Sequence, residues 1–254
     1  MSAAMSPTAA LVTGGGSGIG LATVRQLAAA GRKVVIADRD ELAGKQAAAD
    51  VSGRFVATDV SDQRAVQALF DTAEQEVGPI GLVVLNAGVT TGETPIEDLC
   101  LDKYRTVVGV NVDGVVFGIR AALPALRRSG GGAIVVTASL SGLTPYPDDP
   151  IYAMTKHAVV GLVRSLATPL GKQGVTINCV CPGFVSTPLI DDYRAKFEAA
   201  GLPLLSAEVV AEAVLAAADS GDSGQAWVCQ PGRAPEPYRF RGVPGPAAQG
   251  DTAP

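Results

Sequence analysis

A tyrosine and a lysine stand four residues apart in Tyr152-Ala-Met-Thr-Lys156. On a helix that spacing puts both side chains on one face, about one turn apart. A free phenol is a poor base at neutral pH, with a reference pKa of ~10, and bringing it to ~7 means stabilising the phenolate by roughly 4 kcal/mol. One positive charge at ~4 Å in an effective dielectric of ~20 supplies about that much. Tyr and Lys so placed can therefore make an acid/base that works near neutrality. Taken alone, the pair also fits a surface Tyr and Lys on one helix, so its meaning depends on the elements around it.

A second group of residues has the spacing to hold a phosphate. Residues 9–12 are a short apolar run entering Thr13-Gly14-Gly-Gly-Ser17-Gly18-Ile19-Gly20, and residues 21–30 then read as a helix closed by Gly31. Strand, glycine turn and helix in succession let the backbone approach a pyrophosphate and offer it the unpaired N–H groups of the helix start. The next apolar run, 33–37, ends in Asp38, 18 residues beyond Gly20 (38 − 20). A carboxylate there can accept hydrogen bonds from an adenosine ribose and repel a 2′-phosphate, or it can simply cap a helix. Arg39 follows and softens the repulsion. NAD is favoured over NADP.

Around these residues the spacing predicts helices and strands in alternation. Residues 40–49 read as a helix, 54–58 as a strand running into Asp59-Val60, and Ser61 as the cap of a helix ending near Val77. Residues 82–85 form a strand delivering Asn86-Ala87-Gly88, and Thr94-Pro95 reads as a helix cap. A long helix is predicted over 101–128 with Asn111 inside it, then a strand over 133–137 with Ser139 just past its end. Tyr152 opens a helix to about Leu170, 175–180 is a strand closed by Pro182-Gly183, Ser206 caps a helix to about Ala218, and 226–229 is a last strand. Such alternation implies parallel pairing with crossover helices, hence an α/β, doubly wound sheet of about seven strands with helices on both faces. Gly14, Asp38, Asp59, Asn86, Ser139 and Pro182 all fall at strand C-termini, where such sheets bind ligands.

At 254 residues the chain has room for one α/β domain, read as residues 1–232 with a Pro/Gly-rich, largely irregular tail over 233–254 in which Tyr238 and Phe240 can dock. A net charge of −5 with no basic block argues against nucleic acid as a partner. No apolar run reaches the length of a membrane span, and Met1-Ser-Ala-Ala-Met5 lacks a charged region followed by an apolar one, so the expectation is a cytoplasmic protein without a membrane partner. Cys100, Cys179, Cys181 and Cys229 read as buried small hydrophobes. With only His157 to help, no metal site is expected.

With these pieces in order, residues 8–230 resemble the short-chain dehydrogenase/reductase family. The matching motifs are Thr13-Gly14-x-x-x-Gly18-x-Gly20, Asp59, Asn86-Ala87-Gly88, Asn111, Ser139, Tyr152-x-x-x-Lys156, and Pro182-Gly183 with Thr187; Ser139 precedes Tyr152 by 13 residues (152 − 139). The resemblance implies a Rossmann-like fold, a nicotinamide cofactor and hydride transfer at a carbonyl or carbinol carbon. It implies Tyr152 as general acid/base, Lys156 lowering its pKa and binding the nicotinamide ribose, Ser139 holding the substrate oxygen, and Asn111 anchoring a water linked to Lys156. The implied cofactor contacts are Gly14, Ser17, Gly18, Ile19, Gly20, Asp38, Arg39, Asp59, Val60, Asn86, Ala87, Gly88, Tyr152, Lys156, Pro182, Gly183, Val185 and Thr187. This sequence departs from the family pattern in having Leu85 where many relatives carry an Asn, and in ending the last strand with Cys229-Gln-Pro-Gly232.

The expected activity is NAD-dependent oxidation of an apolar secondary alcohol or reduction of its ketone. The alternatives are an NADPH-dependent carbonyl reductase using Arg39, and a dinucleotide sensor without turnover, against which the intact Ser139, Tyr152 and Lys156 speak. Apolar residues at 140–146 and 184–197 suggest the substrate wall, with 189–205 as a lid and Arg194 and Lys196 on its solvated face. The helices over 101–128 and 152–170 are apolar on more than one face, as expected of a homodimer or homotetramer.

Overall fold

Unbroken apolar runs, rather than alternating ones, mark strands covered on both faces. A computed structural model, which describes residues 8–92 and 95–243, buries Ala9–Thr13 and Ile80–Leu85 in this way along their whole length. The strands are β1 (Ala9–Thr13), β2 (Val34–Asp38), β3 (Arg54–Ala57), β4 (Ile80–Leu85), β5 (Gly132–Thr137), β6 (Val175–Pro182), β7 (Ala226–Cys229) and β8 (Glu236–Pro237). They form one sheet in the order β3-β2-β1-β4-β5-β6-β7-β8. The first seven are parallel, as expected.

The eighth strand was not expected. It runs antiparallel to β7 through Trp227↔Pro237 and Val228↔Glu236, inside a segment read as largely irregular. Pro237 is tolerated because it lies at the sheet edge, where no further strand needs its missing N–H. The segment is held by Tyr238 N–H donating to Ala226 O at 2.8 Å and by Phe240, whose ring lies 3.6 Å from the Arg164 guanidinium and packs against the core.

Eight α-helices flank the sheet among the described residues: α1 (Gly18–Ala29), α2 (Glu41–Val51), α3 (Gln63–Val77), α4 (Leu101–Val108), α5 (Gly114–Arg128), α6 (Pro150–Gly171), α7 (Arg194–Ala199) and α8 (Ala207–Asp219). One core joins Val24, Leu27, Val210 and Val214 of α1 and α8 to Val12, Ile36 and Val84 of the sheet. The other joins Leu69 and Phe70 of α3, Ile119 and Leu126 of α5 and Val159 and Val163 of α6 to Leu11, Val83, Ile134 and Ile177. Because β2 lies on one side of β1 and β4 on the other, the order reverses there and a crevice opens at the strand C-termini.

Several local expectations change. The helix over 101–128 is α4 and α5 joined by one π-helical stretch, Gly109–Asp113, which carries Asn111. By length and composition the whole run Leu101–Arg128 could cross a membrane, contrary to the expectation that no such run exists. Here its apolar residues Val107, Val115, Ile119 and Leu126 are buried in the fold. The cap of α3 is Asp62, accepting from Arg64 N–H, rather than Ser61, which donates its hydroxyl to Asp59. The cap expected at Thr94 lies outside the described residues, and Pro95 precedes a short 3-10 turn, Ile96–Asp98. Cys179, Cys181 and Cys229 are buried as expected, but Cys100 is exposed.

Candidate active site

The glycine turn after β1 is built by close backbone approach. Gly14 has φ +63°, and a Cβ on it would lie 2.9 Å from Ala87 Cα; a Cβ on Gly20 would lie 2.0 Å from Gly14 O. Only glycines let the start of α1 fold back onto β1 and β4. Ser17, at the N-cap of α1, makes no side-chain cap, and Gly14, Ser17, Gly18 and Ile19 line a cavity of about 620 Å³ at that helix start. An uncapped helix start opening on a cavity fits a pyrophosphate. Gly20 does not line the cavity; it serves the packing of α1.

Further along the crevice lie Asp38, Arg39, Asp59 and Val60. Asp38 is fixed by two backbone donors, Gly16 N–H to Oδ2 at 2.9 Å and Asp40 N–H to Oδ1 at 3.0 Å. The helix-cap role falls instead to Asp40, which accepts from Leu42 and Ala43 N–H. The Ser61 hydroxyl and then its N–H hold the Asp59 carboxyl below its usual range, the Arg39 charge adds to this, and burial opposes it.

Asn86 ties the centre together. Its Nδ2 donates to Thr13 O and Gly14 O, its N–H and that of Ala87 donate to Thr13 Oγ1, and Thr137 Oγ1 donates to its Oδ1. Asn111, 1% exposed, accepts from Val89 N–H at 2.8 Å and donates to Val89 O at 2.8 Å and Thr155 Oγ1 at 3.1 Å. The amide thus holds the Asn86–Val89 segment to α6. A Cβ on Gly88 would stand 3.4 Å from both Asn111 Oδ1 and Lys156 Nζ, so Asn111 meets Gly88 and Lys156 from behind the cavity wall that those two help to form.

Ser139, Tyr152 and Lys156 line the same cavity. The helix that carries two of them starts at Pro150, and Lys156, 3% exposed, donates to Thr137 O at 2.8 Å. Its Nζ lies 5.4 Å from the Tyr152 ring centroid. The electrostatics differ from the expectation that Lys156 lowers the phenol. Burial raises Tyr152 to about 12, the Ser139 hydroxyl pulls it down, and Asp149, Tyr146 and Cys181 push it further up. Burial lowers Lys156 to about 8, against the smaller effect of Cys181 and Cys179. Here the ammonium is aimed at the Thr137 carbonyl, and burial is the first cause of the shift in both groups.

Pro182 ends β6, and Gly183 N–H donates to Cys229 O at 3.0 Å. Thr187 packs its methyl group against Gly18, which brings the β6 side of the crevice onto the glycine turn. Between Val185 and Leu205 the chain leaves and returns to one place: those residues form a β-bridge, Leu205 N–H donates to Phe184 O and Ser186 N–H to Leu205 O. The excursion carries α7 and, through Tyr193 and Phe197, forms an aromatic wall with Tyr146 and Phe184. Phe184 and Phe197 are 4.2 Å apart between ring centroids, Tyr146 meets Phe184 at 6.3 Å and Tyr193 meets Phe197 at 6.4 Å. Arg194 bonds Ser186 and Asp191, and Lys196 pairs with Asp148 at 3.3 Å; neither lines the cavity.

The expected site residues therefore gather along one crevice, with Gly20 and Asn111 just behind its surface. Thr137, Val89 and Thr90 are not among the expected site residues, and Thr13, part of the glycine motif, has no role assigned there. Thr13 and Thr137 act by holding Asn86, and Thr137 also accepts from Lys156 through its carbonyl; no residue-type signal announces that.

Residues 8–198 match the family model described as short chain dehydrogenase. The NADP-dependent (R)-specific alcohol dehydrogenase of Lentilactobacillus kefiri is 37% identical over 196 residues, covering 74% of this chain and 77% of that protein. The cis-4-hydroxycyclohexanecarboxylate dehydrogenase of Sinomonas cyclohexanicum is 37% identical over 225 residues, covering 84% and 90%. Among solved structures, the 3-ketoacyl-(acyl-carrier-protein) reductase from Brucella melitensis complexed with NADH matches with a TM-score of 0.83 at 28% identity, covering 91% of this chain and all of that one.

Proposed function

The chain belongs to the short chain dehydrogenase family of oxidoreductases, and from that premise we propose that it exchanges hydride between NAD and an apolar, cyclic or aromatic secondary alcohol or its ketone. The observation that carries the reading is a single cavity with Asp38 toward one end and the Ser139–Tyr152 pair beside the Tyr146–Phe184–Phe197 wall toward the other. The nicotinamide cofactor, when bound, supplies the hydride chemistry.

The chain's own residues supply position, a proton and a polarised oxygen. The α1 start and the glycine turn would hold the pyrophosphate, Asp38 the adenosine ribose, and Lys156 the nicotinamide ribose. Asp59 and Val60 would border the adenine, with Ile19, Ala87, Gly88, Gly183, Val185 and Thr187 completing the cofactor's walls. Ser139 would donate to the substrate oxygen while Tyr152 takes or returns its proton. Asn111, besides fixing Val89, would anchor the water linked to Lys156. The segment between Val185 and Leu205, tied at both ends, is suited to close as a lid.

Arg39 in the crevice favours the second reading, an NADPH-dependent carbonyl reductase, and one relative is named for NADP. Asp38 weighs against it, since its charge faces the position a 2′-phosphate would take. Another relative's name contains a cyclic alcohol that bears a carboxylate, which agrees with a ring substrate. The cations that could hold such a carboxylate are here paired with Asp191 and Asp148. We further read the protein as cytoplasmic and as a homodimer or homotetramer.

The test is a panel of neutral and anionic alcohols and ketones of matched size, run with NAD(H) and NADP(H) on purified protein. Higher kcat/KM for neutral cyclic substrates with NAD(H) is expected. Preference for the anionic members would overturn the pocket reading.

A further inference from the structure

Three positions before Tyr152 lies a charge that the proposed reaction does not use. Asp149 is 2% exposed and caps α6, its Oδ1 accepting the Tyr152 backbone N–H at 2.9 Å. The same carboxylate crosses to the segment after β4. Thr90 Oγ1 donates to Oδ2 at 2.5 Å, Thr91 N–H at 2.9 Å and Gly92 N–H at 3.2 Å, while the Thr91 hydroxyl donates to Oδ1.

A helix cap needs only one or two of these bonds, and serine or asparagine would serve it as well. Burying a carboxylate is costly unless it is fully bonded. Here the donors are all neutral, and four of the five come from residues 90–92. That segment continues from Val89, which Asn111 holds, and Thr90 lines the cavity.

We propose that Asp149 is a positioning residue for the reaction: it locks residues 90–92 to the first turn of α6, so that the cavity wall and the phenol-bearing helix move as one piece, with a fixed negative charge beside them. The proposal rests on the reading of Tyr152 as the acid/base. The charge also bears on the phenol. Burial is the first cause that raises Tyr152, and Asp149 follows, with Tyr146 and Cys181, against the Ser139 hydroxyl; Lys156 stands on the same helix face.

Two variants separate the parts. Asp149→Ser keeps a cap for α6 but removes the charge and the bonds to residues 90–92. Thr91→Val keeps the charge and removes one hydroxyl donor. Hydrogen exchange on purified protein without substrate should quicken across residues 89–92 in both, with circular dichroism unchanged. With an alcohol that the parent oxidises, both should lower kcat, Asp149→Ser by about tenfold, with KM for the cofactor little altered. Only Asp149→Ser should move the midpoint of the oxidation pH profile, downward by about one unit. Unchanged exchange in both variants overturns the lock, and an unmoved midpoint and kcat in Asp149→Ser overturn the positioning role. Turnover that survives Tyr152→Phe overturns the underlying reading of the reaction instead, a result that neither of the others can mimic.

Discussion

Opposing effects act on Tyr152: burial first, with Asp149, Tyr146 and Cys181, favours the neutral phenol, and the Ser139 hydroxyl favours the phenolate. Burial dominates, so the phenol starts as an acid and needs help to act as a base. Lys156, lowered to about 8, is the nearer to neutrality of the Tyr152–Lys156 pair. Alcohol oxidation needs the proton-poor form of that pair and ketone reduction the proton-rich form. Oxidation velocity should therefore rise as pH increases through about 8, and reduction should fall over the same range. In Lys156→Met that limb should move to higher pH; a profile left in place would assign the limb to another group. Tyr152→Phe should lose ~10²–10⁴-fold in kcat while still binding NADH in a fluorescence titration, and near-normal turnover would show that another residue moves the proton. At the other end of the cavity, Asp38→Ser should narrow the gap in kcat/KM between NAD(H) and NADP(H); equal efficiency in the parent would contradict the role given to its charge.

At the scale of elements, the seven parallel strands are legible because most are short apolar runs ending in a turn or polar residue, as β4 is in Asn86 and β5 before Ser139; β6, broken by Thr176 and Asn178, is placed by the alternation with helices. The glycine turn was legible because its residue types admit few alternatives. What the sequence hides is backbone detail. Nothing in Gly109-Val-Asn-Val-Asp113 announces a π-helical stretch, yet that stretch carries Asn111, whose amide meets Val89 and Thr155. Asp62 and Ser61 are both good caps by type, and the choice between them is made by Asp59, which takes the Ser61 hydroxyl. The two-residue β8 has no periodicity to detect. The close approach at Gly20 is testable as packing: a methyl group there would stand 2.0 Å from Gly14 O. Gly20→Ala should cost about 1–3 kcal/mol of stability, read by thermal unfolding, and weaken NADH binding as the glycine turn is pushed out of shape. An unchanged Tm would mean the turn can yield without loss.

Over the whole molecule, the helices that carry the reactive groups also present uncovered apolar surface. Leu101 of α4 is 62% exposed, Val116 of α5 41% and Met154 of α6 44%. The outward face of α6 continues through Ala158, Gly161 and Ser165, all exposed, and a Cβ on Gly161 would meet nothing within 4 Å. Small residues at helical spacing allow a second helix to approach closely, and apolar neighbours give it a reason to do so. A second copy of the chain is the occupant we expect, because α5 and α6 each have one face spent on the sheet and another left for burial. Light scattering at micromolar concentration should then give a dimer or tetramer, and Tm should rise with protein concentration, since association stabilises only the folded chain. Val116→Arg and Ala158→Arg place a long charged side chain on that face without touching the cavity. Both should yield smaller species whose Tm no longer depends on concentration. A parent that scatters as a monomer, or arginine variants that assemble as the parent does, would place the subunit contact elsewhere or nowhere.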